Sequence, residues 1–249
     1  MNWISFILIN FTAWLIQPGS TFEQEQKKYG RVQLACQNKE VAVIQKMKEN
    51  QIRPEQFTMT ILAFKTENRL EIHAGNSGEQ QRKIKEFEIC ASSGKPGPKR
   101  FEGDWQVPEG FYHVDRFNPM SSYHLALGIN YPNASDRILG NKKRPGGLIM
   151  IHGACITIGC LPMTNERIEE IYLYAIKAKS NGQMRIPVYI FPAEPGTDHY
   201  NQLKKQQPKL RSFWENLEEG FHQYQSQRKP LEFTVSKEGR YQFPTSGVQ

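Results

Sequence analysis

The sequence predicts an α+β fold with a mainly antiparallel β core. Short runs of β-branched and aromatic residues, bounded by Gly, Pro or Asn, fill the stretch from Phe57 to Ile151. Two long segments with apolar residues at helical spacing come after it, one at 164–181 and one from Leu210 to Tyr224. No repeat or low-complexity tract breaks this order, so the 249 residues are expected to form one domain with extensions.

Each element has its own signal. Residues 23–50 are polar and helix-compatible, with Val32, Ala35, Val43 and Met47 on one face, and Arg53-Pro54 ends them. Phe57 to Phe64 (FTMTILAF) and Leu70 to His73 read as strands joined by a turn at Glu67-Asn68. Asn76-Ser77-Gly78 makes a second turn before a strand from Ile84 to Cys90. Residues 92–110 carry Gly94, Pro96, Gly97, Pro98, Gly103, Pro108 and Gly110 and read as a long loop, a length usually associated with function. Strands resume at Phe111–Val114, Tyr123–Ile129 and Leu148–Ile151. The segment 164–181 has Thr164 as N-cap, Glu166 in its first turn and Gly182 after its end. Ile186–Phe191 is the next strand, and Leu231–Phe243 reads as a hairpin turning at Glu238-Gly239.

Composition narrows the function classes. With 38% hydrophobic, 11% aromatic and 23% charged residues, neither a wholly disordered chain nor a multi-span membrane protein fits. The net charge of +7 favours an acidic partner, but the basic residues are scattered and form no Lys/Arg-rich helix, so no nucleic acid is expected. No G-x-G-x-x-G follows a strand and there is no P-loop, so no cofactor is expected. Trp3–Ile16 (WISFILINFTAWLI) is apolar apart from Ser5, Asn10 and Thr12, and polar sequence begins at Glu23. That length suits a signal-peptide core and is short for a membrane span; a buried helix is the plainer alternative. Residues 1–20 are therefore expected to be a signal peptide or membrane anchor. Cys36, Cys90, Cys155 and Cys160 permit two disulfides in three pairings.

The informative stretch is Ile149–Cys160 (IMIHGACITIGC). An apolar strand delivers His152 at its end, a Gly-punctuated turn follows, and Cys160 comes directly after Gly159, shortly before a helix. An adjacent imidazole and the positive end of a helix dipole would lower a thiol pKa from about 8.5. Gly159 lets the backbone turn so that nearby N–H groups face an oxyanion. Cys160 as nucleophile and His152 as base then complete an acyl-enzyme mechanism. Three alternatives stay open: a structural His and Cys, a zinc site on the H-x2-C-x4-C string, and a Cys155–Cys160 disulfide. The zinc spacing matches no common motif, and no metal is expected.

The same residues resemble the active-site motif of the L,D-transpeptidase family, the YkuD fold. Its strand ending in His-Gly matches His152-Gly153, and its Ser/Thr-His-Gly-Cys matches Thr157-Ile158-Gly159-Cys160. Upstream, Ser93-Gly94 with Val107-Pro108-Glu109-Gly110-Phe111-Tyr112 is similar to the family's G…TPxGxF run. Tyr131-Pro132-Asn133 with Asp136 is similar to its YPN…D segment. Ile158 stands where the family has His, and the His152–Cys160 gap is short. Both features, with Cys155, Pro162-Met163-Thr164 and the C-terminal extension, resemble the YafK-like branch.

The resemblance implies a β-sandwich-like catalytic core at 57–192, a helical N-terminal extension at 21–56, and a helix and hairpin extension at 193–249. It implies a periplasmic cysteine enzyme acting on peptidoglycan stem peptides at diaminopimelate, through a Cys160 thioester. Water as acceptor would make it an amidase detaching a wall-linked lipoprotein, and an amine would make it a transpeptidase. The expected catalytic set is Cys160, His152 and Gly159. The expected substrate contacts are Ser93, Gly153, Thr157, Tyr131 and Arg137. Lys95, Lys99, Arg100 and Arg144 are candidates for a basic rim, Ser92 for a substrate hydrogen bond, and Trp105 for a groove wall. His113 and His124 are placed in strands near the site. The alternative function is a non-catalytic wall-binding module with a locked or inactive Cys160.

Overall fold

The computed structural model describes residues 21–244; the expected leader at 1–20 lies outside the described residues. The chain begins with α1 (Phe22–Gln26) and α2 (Gly30–Glu49), and α2 buries the predicted stripe Val32, Ala35, Val43 and Met47. After a short 3₁₀ turn come β1 (Phe57–Phe64), β2 (Arg69–Asn76), β3 (Arg82–Glu88), β4 (Gly110–Asn118), β5 (Ala126–Ile129) and α3 (Ala134–Leu139). Then follow β6 (Met150–His152), β7 (Leu161–Pro162), α4 (Asn165–Ser180) and β8 (Pro187–Phe191). The chain ends in α5 (Asp198–Gln206), α6 (Arg211–Gln227) and the hairpin β9 (Thr234–Val235) and β10 (Tyr241–Gln242). Thr164 caps α4 through the Arg167 N–H, as its position predicts.

The strands form one curled sheet of order β3-β2-β1-β8-β4-β5-β6-β7, with the β9/β10 hairpin apart from it. The strands of the expected β-sandwich-like core all lie in this one sheet. The curl comes from β4, whose Gly110–His113 pairs with β8 and whose Val114–Asn118 pairs with β5. The register slips between Val114 and Arg116, and such irregularity increases local twist. Neighbours are antiparallel except β1/β8 and β6/β7, which are parallel.

Both faces of the central strands are buried. Ile61 and Ala63 of β1, with Val188 and Ile190 of β8, join the core beneath α2 and α4. The alternate residues Leu62, Phe64, Tyr189 and Phe191 join a second core with Trp214, Leu217 and Phe221 of α6. That is why FTMTILAF and PVYIF carry almost no polar residues: a strand covered on both sides has no solvent face.

The two layers are tied by a buried charge. Glu109 is fully buried, and its Oε1 accepts from Lys65 Nζ at 2.8 Å while its Oε2 accepts from Trp214 Nε1 at 2.7 Å. Lys65 Nζ also donates to the Gly97 and Val107 carbonyls, at 2.8 and 2.9 Å. Removing one partner of such a pair strands a charge in low dielectric. Lys65→Met is expected to lower stability by about 3 kcal/mol, read as a lower urea midpoint. Most of the loss is expected to return in Lys65→Met/Glu109→Gln, where no charge is left buried.

Candidate active site

Strand pairing brings the expected nucleophile and base to one place. β6 pairs antiparallel with β5 (Ala126 opposite His152) and parallel with β7 (Ile151 opposite Leu161, His152 opposite Pro162). Cys160 directly precedes β7, two residues before the partner of His152. The pairing thus sets the Cys160 backbone beside the strand that ends in His152. The loop between them is pinned at its middle by a Cys90–Cys155 disulfide with Cα atoms 5.4 Å apart. Cys36 and Cys160 are free thiols. This pairing removes the Cys155–Cys160 alternative, and it takes Cys155 out of the zinc string.

His152 is held by main chain. Its Nδ1 lies 2.6 Å from the Gly153 carbonyl, and since a carbonyl only accepts, Nδ1 carries the proton. The lone pair of the neutral ring therefore sits on Nε2, the form a general base needs. The Tyr123 ring covers the imidazole, with centroids 4.8 Å apart. Burial pushes the imidazole below its ordinary 6.5, and the Gly153 carbonyl opposes that shift. Gly153 is there for close packing: a Cβ would come within 2.6 Å of Asn165 Oδ1 and 2.8 Å of the Tyr123 carbonyl.

Cys160 differs from the expectation of a lowered thiol. Burial pushes it above its ordinary value, and a main-chain hydrogen bond at Met150 and the Lys99 charge only partly offset that. Its Sγ lies 3.8 Å from the Leu148 carbonyl. At the N-terminus of α4, Thr164 Oγ1 accepts the Arg167 N–H and Asn165 Oδ1 accepts the Ala154 N–H at 3.1 Å. Both shifts favour the neutral forms, thiol and imidazole.

The expected oxyanion donors are occupied. Thr157 Oγ1 accepts from the Gly159 N–H at 3.1 Å and the Cys160 N–H at 2.8 Å, and its hydroxyl donates to the Cys160 carbonyl at 2.9 Å. Thr157 therefore braces the nucleophile loop. Gly159 has φ +130° and meets the Gln106 carbonyl, which a Cβ would approach to 2.9 Å, so it is a packing and backbone requirement.

Ser93 and Cys160 line one small cavity with Lys65, Asn68, Ser92 and Val107. Through Lys65, Asn68, Ser92 and Ser93 it continues into a groove edged by Lys95, Pro96 and Pro192. Ser93 Oγ donates to the Trp105 carbonyl at 2.8 Å. Trp105 is 61% exposed, Leu148 70% and Ile158 75%, so the position of the family's histidine faces solvent. Lys65 and Asn68 are wall residues and Tyr123 covers the imidazole; sequence reasoning missed all three, since nothing local distinguishes them from turn and loop residues.

Other expected contacts lie elsewhere. Tyr131 is buried, with its hydroxyl on the Pro145 carbonyl and its ring 6.3 Å from Tyr112, so it packs the core. Arg137 is exposed on α3 and lines neither the cavity nor the groove. Of the basic rim, only Lys95 borders the groove. Lys99 is buried against Asp104 at 2.7 Å, Arg100 pairs with Asp136 at 3.4 Å, and Arg144 pairs with Glu102 at 3.0 Å. His113 lines a different cavity, between β4, β8 and residues 230–235. His124 is not in a strand: its φ is +68° and its Nε2 meets Glu169 Oε1 at 2.9 Å.

A thiol raised by burial gives a direct expectation. In a Cys36→Ser background, iodoacetamide should label Cys160 slowly at pH 7, where a thiol above pH 9 is less than about 1% thiolate. The labelling rate is expected to climb beyond pH 9. A rate already at its plateau at neutral pH would mean a preformed thiolate.

Comparison with known proteins agrees with the motif. YafK of Escherichia coli strain K12, provisionally named an L,D-transpeptidase, is 39% identical over 183 residues, covering 73% of this chain and 72% of the relative. Its counterpart in E. coli O157:H7 gives the same figures. Among solved structures, the helical cell shape determining protein Pgp2 of Campylobacter jejuni aligns at TM-score 0.44 and 20% identity, over 73% of this chain and 74% of that one. Bd1075 of Bdellovibrio bacteriovorus aligns at TM-score 0.40 and 25% identity, over 65% and 57%. The YkuD family, described as the L,D-transpeptidase catalytic domain, matches residues 59–212. On that match and the identity to YafK, the chain belongs to the YkuD L,D-transpeptidase family.

Proposed function

We propose that this protein is a cysteine enzyme of the bacterial cell wall, acting on peptidoglycan stem peptides at diaminopimelate. The observation that carries the reading is the pairing of a free thiol with an oriented imidazole. His152 has its Nδ1–H fixed on the Gly153 carbonyl, which leaves the lone pair on Nε2, and the β6/β7 register sets the Cys160 backbone two residues before the strand partner of His152. Nε2 takes the Cys160 proton as sulfur attacks an amide carbonyl, forming the C–S bond and a tetrahedral oxyanion. Collapse breaks the C–N bond, and the imidazolium returns its proton to the leaving amine. The thioester is resolved by water, which would release a wall-linked lipoprotein, or by an amine, which would form a crosslink.

Two further features support the setting. The Cys90–Cys155 disulfide fits an oxidising compartment and so supports a periplasmic setting. The net charge of +7 and Lys95 at the groove edge suit a substrate rich in carboxylates. One observation favours the second reading, a wall-binding module without turnover: Thr157 holds both N–H groups that an oxyanion would use.

The experiment compares the protein and Cys160→Ser on purified peptidoglycan carrying bound lipoprotein, with mass spectrometry of the muropeptides. Cysteine-dependent loss of the lipoprotein remnant identifies an amidase, and new diaminopimelate crosslinks identify a transpeptidase. Identical muropeptides from both proteins would remove the enzyme reading.

The pH profile follows from the neutral pair. His152 must be unprotonated to act, and burial holds it below 6.5. kcat/KM is therefore expected to rise with pH through a limb below 6.5 and to stay flat across neutrality. An acid limb with its midpoint above pH 7 would contradict His152 as the base.

A further inference from the structure

The loop at 121–125 carries Tyr123 over the imidazole, and within the loop the Tyr123 N–H donates to Ser121 Oγ at 3.0 Å. It is not part of β5, which begins at Ala126, and His124 holds the left-handed φ of +68° that a non-glycine residue rarely adopts. Its restraint comes from α2. The Arg31 Nη1 donates to the Ser121 carbonyl and, at 2.7 Å, to the His124 carbonyl, so one guanidinium spans the loop's backbone on both sides of Tyr123. A second restraint from the same helix runs through Asn38, whose Nδ2 donates to Glu169 Oε2 at 3.1 Å while Glu169 Oε1 holds His124 at 2.9 Å. The loop in turn bears on the base twice. The Tyr123 ring stands 4.8 Å from the imidazole, and the Tyr123 carbonyl abuts Gly153, whose own carbonyl orients Nδ1. The Gly153 N–H closes the circuit by donating to the Leu125 carbonyl at 3.1 Å. Arg31 lies on α2 at 30–49, outside the stretch 59–212 that matches the family's catalytic domain.

We propose that Arg31 is a positioning residue for His152, acting from the N-terminal extension through the 121–125 loop and the Tyr123 ring. The proposal rests on the reading of His152 as the general base, but its structural half can be measured without turnover. With the clamp in place the imidazole is buried, and burial pushes it down while the Gly153 carbonyl opposes that. Without the clamp the loop relaxes, water reaches the ring, and the Gly153 carbonyl loses its fixed direction.

The test is nitrogen NMR of histidine-labelled protein, following the His152 tautomer and titration in the wild type, Arg31→Ala, Arg31→Lys, Tyr123→Leu and Lys27→Ala. Lys27 pairs with Glu23 and Glu40 at the start of the same extension and does not touch the loop. Arg31→Ala and Tyr123→Leu are expected to move the His152 midpoint up toward 6.5 and to mix the two tautomers. The acid limb of kcat/KM is expected to move with the midpoint, with a loss of about tenfold carried mainly by kcat. Arg31→Lys is expected to recover part of both, and Lys27→Ala to leave both unchanged. If Arg31→Ala does not fold, Tyr123→Leu and Arg31→Lys carry the comparison. An unchanged tautomer and midpoint in the folded Arg31 and Tyr123 variants would overturn the proposal, and so would an equal shift in Lys27→Ala. A shifted His152 in a protein that shows no Cys160-dependent turnover would leave the clamp standing and remove the enzyme reading instead.

Discussion

Much of the site depends on a single buried carboxylate. Glu109 has no exposure, and both its oxygens are engaged, one by Lys65 at the end of β1 and one by Trp214 in α6. Lys65 adds the Gly97 and Val107 carbonyls, so four separate stretches of chain meet at one charge. Such a group is costly to bury unless its partners are complete, and that completeness makes the arrangement specific. The consequence for the site is direct. The loop 92–109 has no regular secondary structure, yet its Gln106 carbonyl packs against Gly159 and its Trp105 carbonyl holds Ser93. The outer wall of the groove is therefore fixed by an ion pair beneath it.

The nucleophile loop is held by other means. The Cys90–Cys155 bond closes a stretch of 65 residues, which in the chain-entropy account contributes about 4 kcal/mol. It leaves Cys160 free and ties down the turn that Cys160 follows. Inside the turn, the three hydrogen bonds of the Thr157 hydroxyl all go to backbone of residues 159 and 160. A cysteine in this setting is well placed and poorly ionised. Each pKa unit of thiol elevation costs about 1.4 kcal/mol of thiolate, so on the proposed function its reactivity would rest on the general base.

The sequence showed the parts whose signals are local. The helix α4 was legible in its cap at Thr164 and its apolar stripe, and the buried strands in their unbroken apolar runs. His152 at a strand end and Cys160 after Gly159 were legible as a motif. Other features depend on partners far along the chain. Tyr131 looks like a groove residue until its ring is seen against Tyr112 and its hydroxyl on Pro145. The strand expected from Tyr123 fails at His124, whose backbone is bent to the left-handed region and gripped by Arg31, 93 residues away. The short helices α3 and α5 were missed although Asn133 with Asp136, and Thr197, cap them; helices of 6 and 9 residues carry too little periodicity to stand out. The curl of the sheet was also hidden, because it arises where β4 changes partners.

The distribution of legible and hidden features has a common cause. The groups that hydrogen-bond His152 and Cys160 directly are mostly main-chain atoms: the Gly153 carbonyl on Nδ1, the Leu148 carbonyl at Sγ, and the Cys160 N–H on the Thr157 hydroxyl. Every residue type carries such atoms, so no side-chain identity announces them. What the sequence can reveal is only the steric condition for their placement, and here that condition falls on glycine. Gly153 and Gly159 each face a backbone or side-chain oxygen at a distance that excludes a Cβ. The same logic accounts for Ile158. Where relatives of this fold have a histidine in the motif, this chain exposes an aliphatic side chain to solvent, and the orientation of His152 does not pass through it. A site oriented by its backbone can exchange a neighbouring side chain and keep its base in place, provided the glycines and the loop around them stay packed.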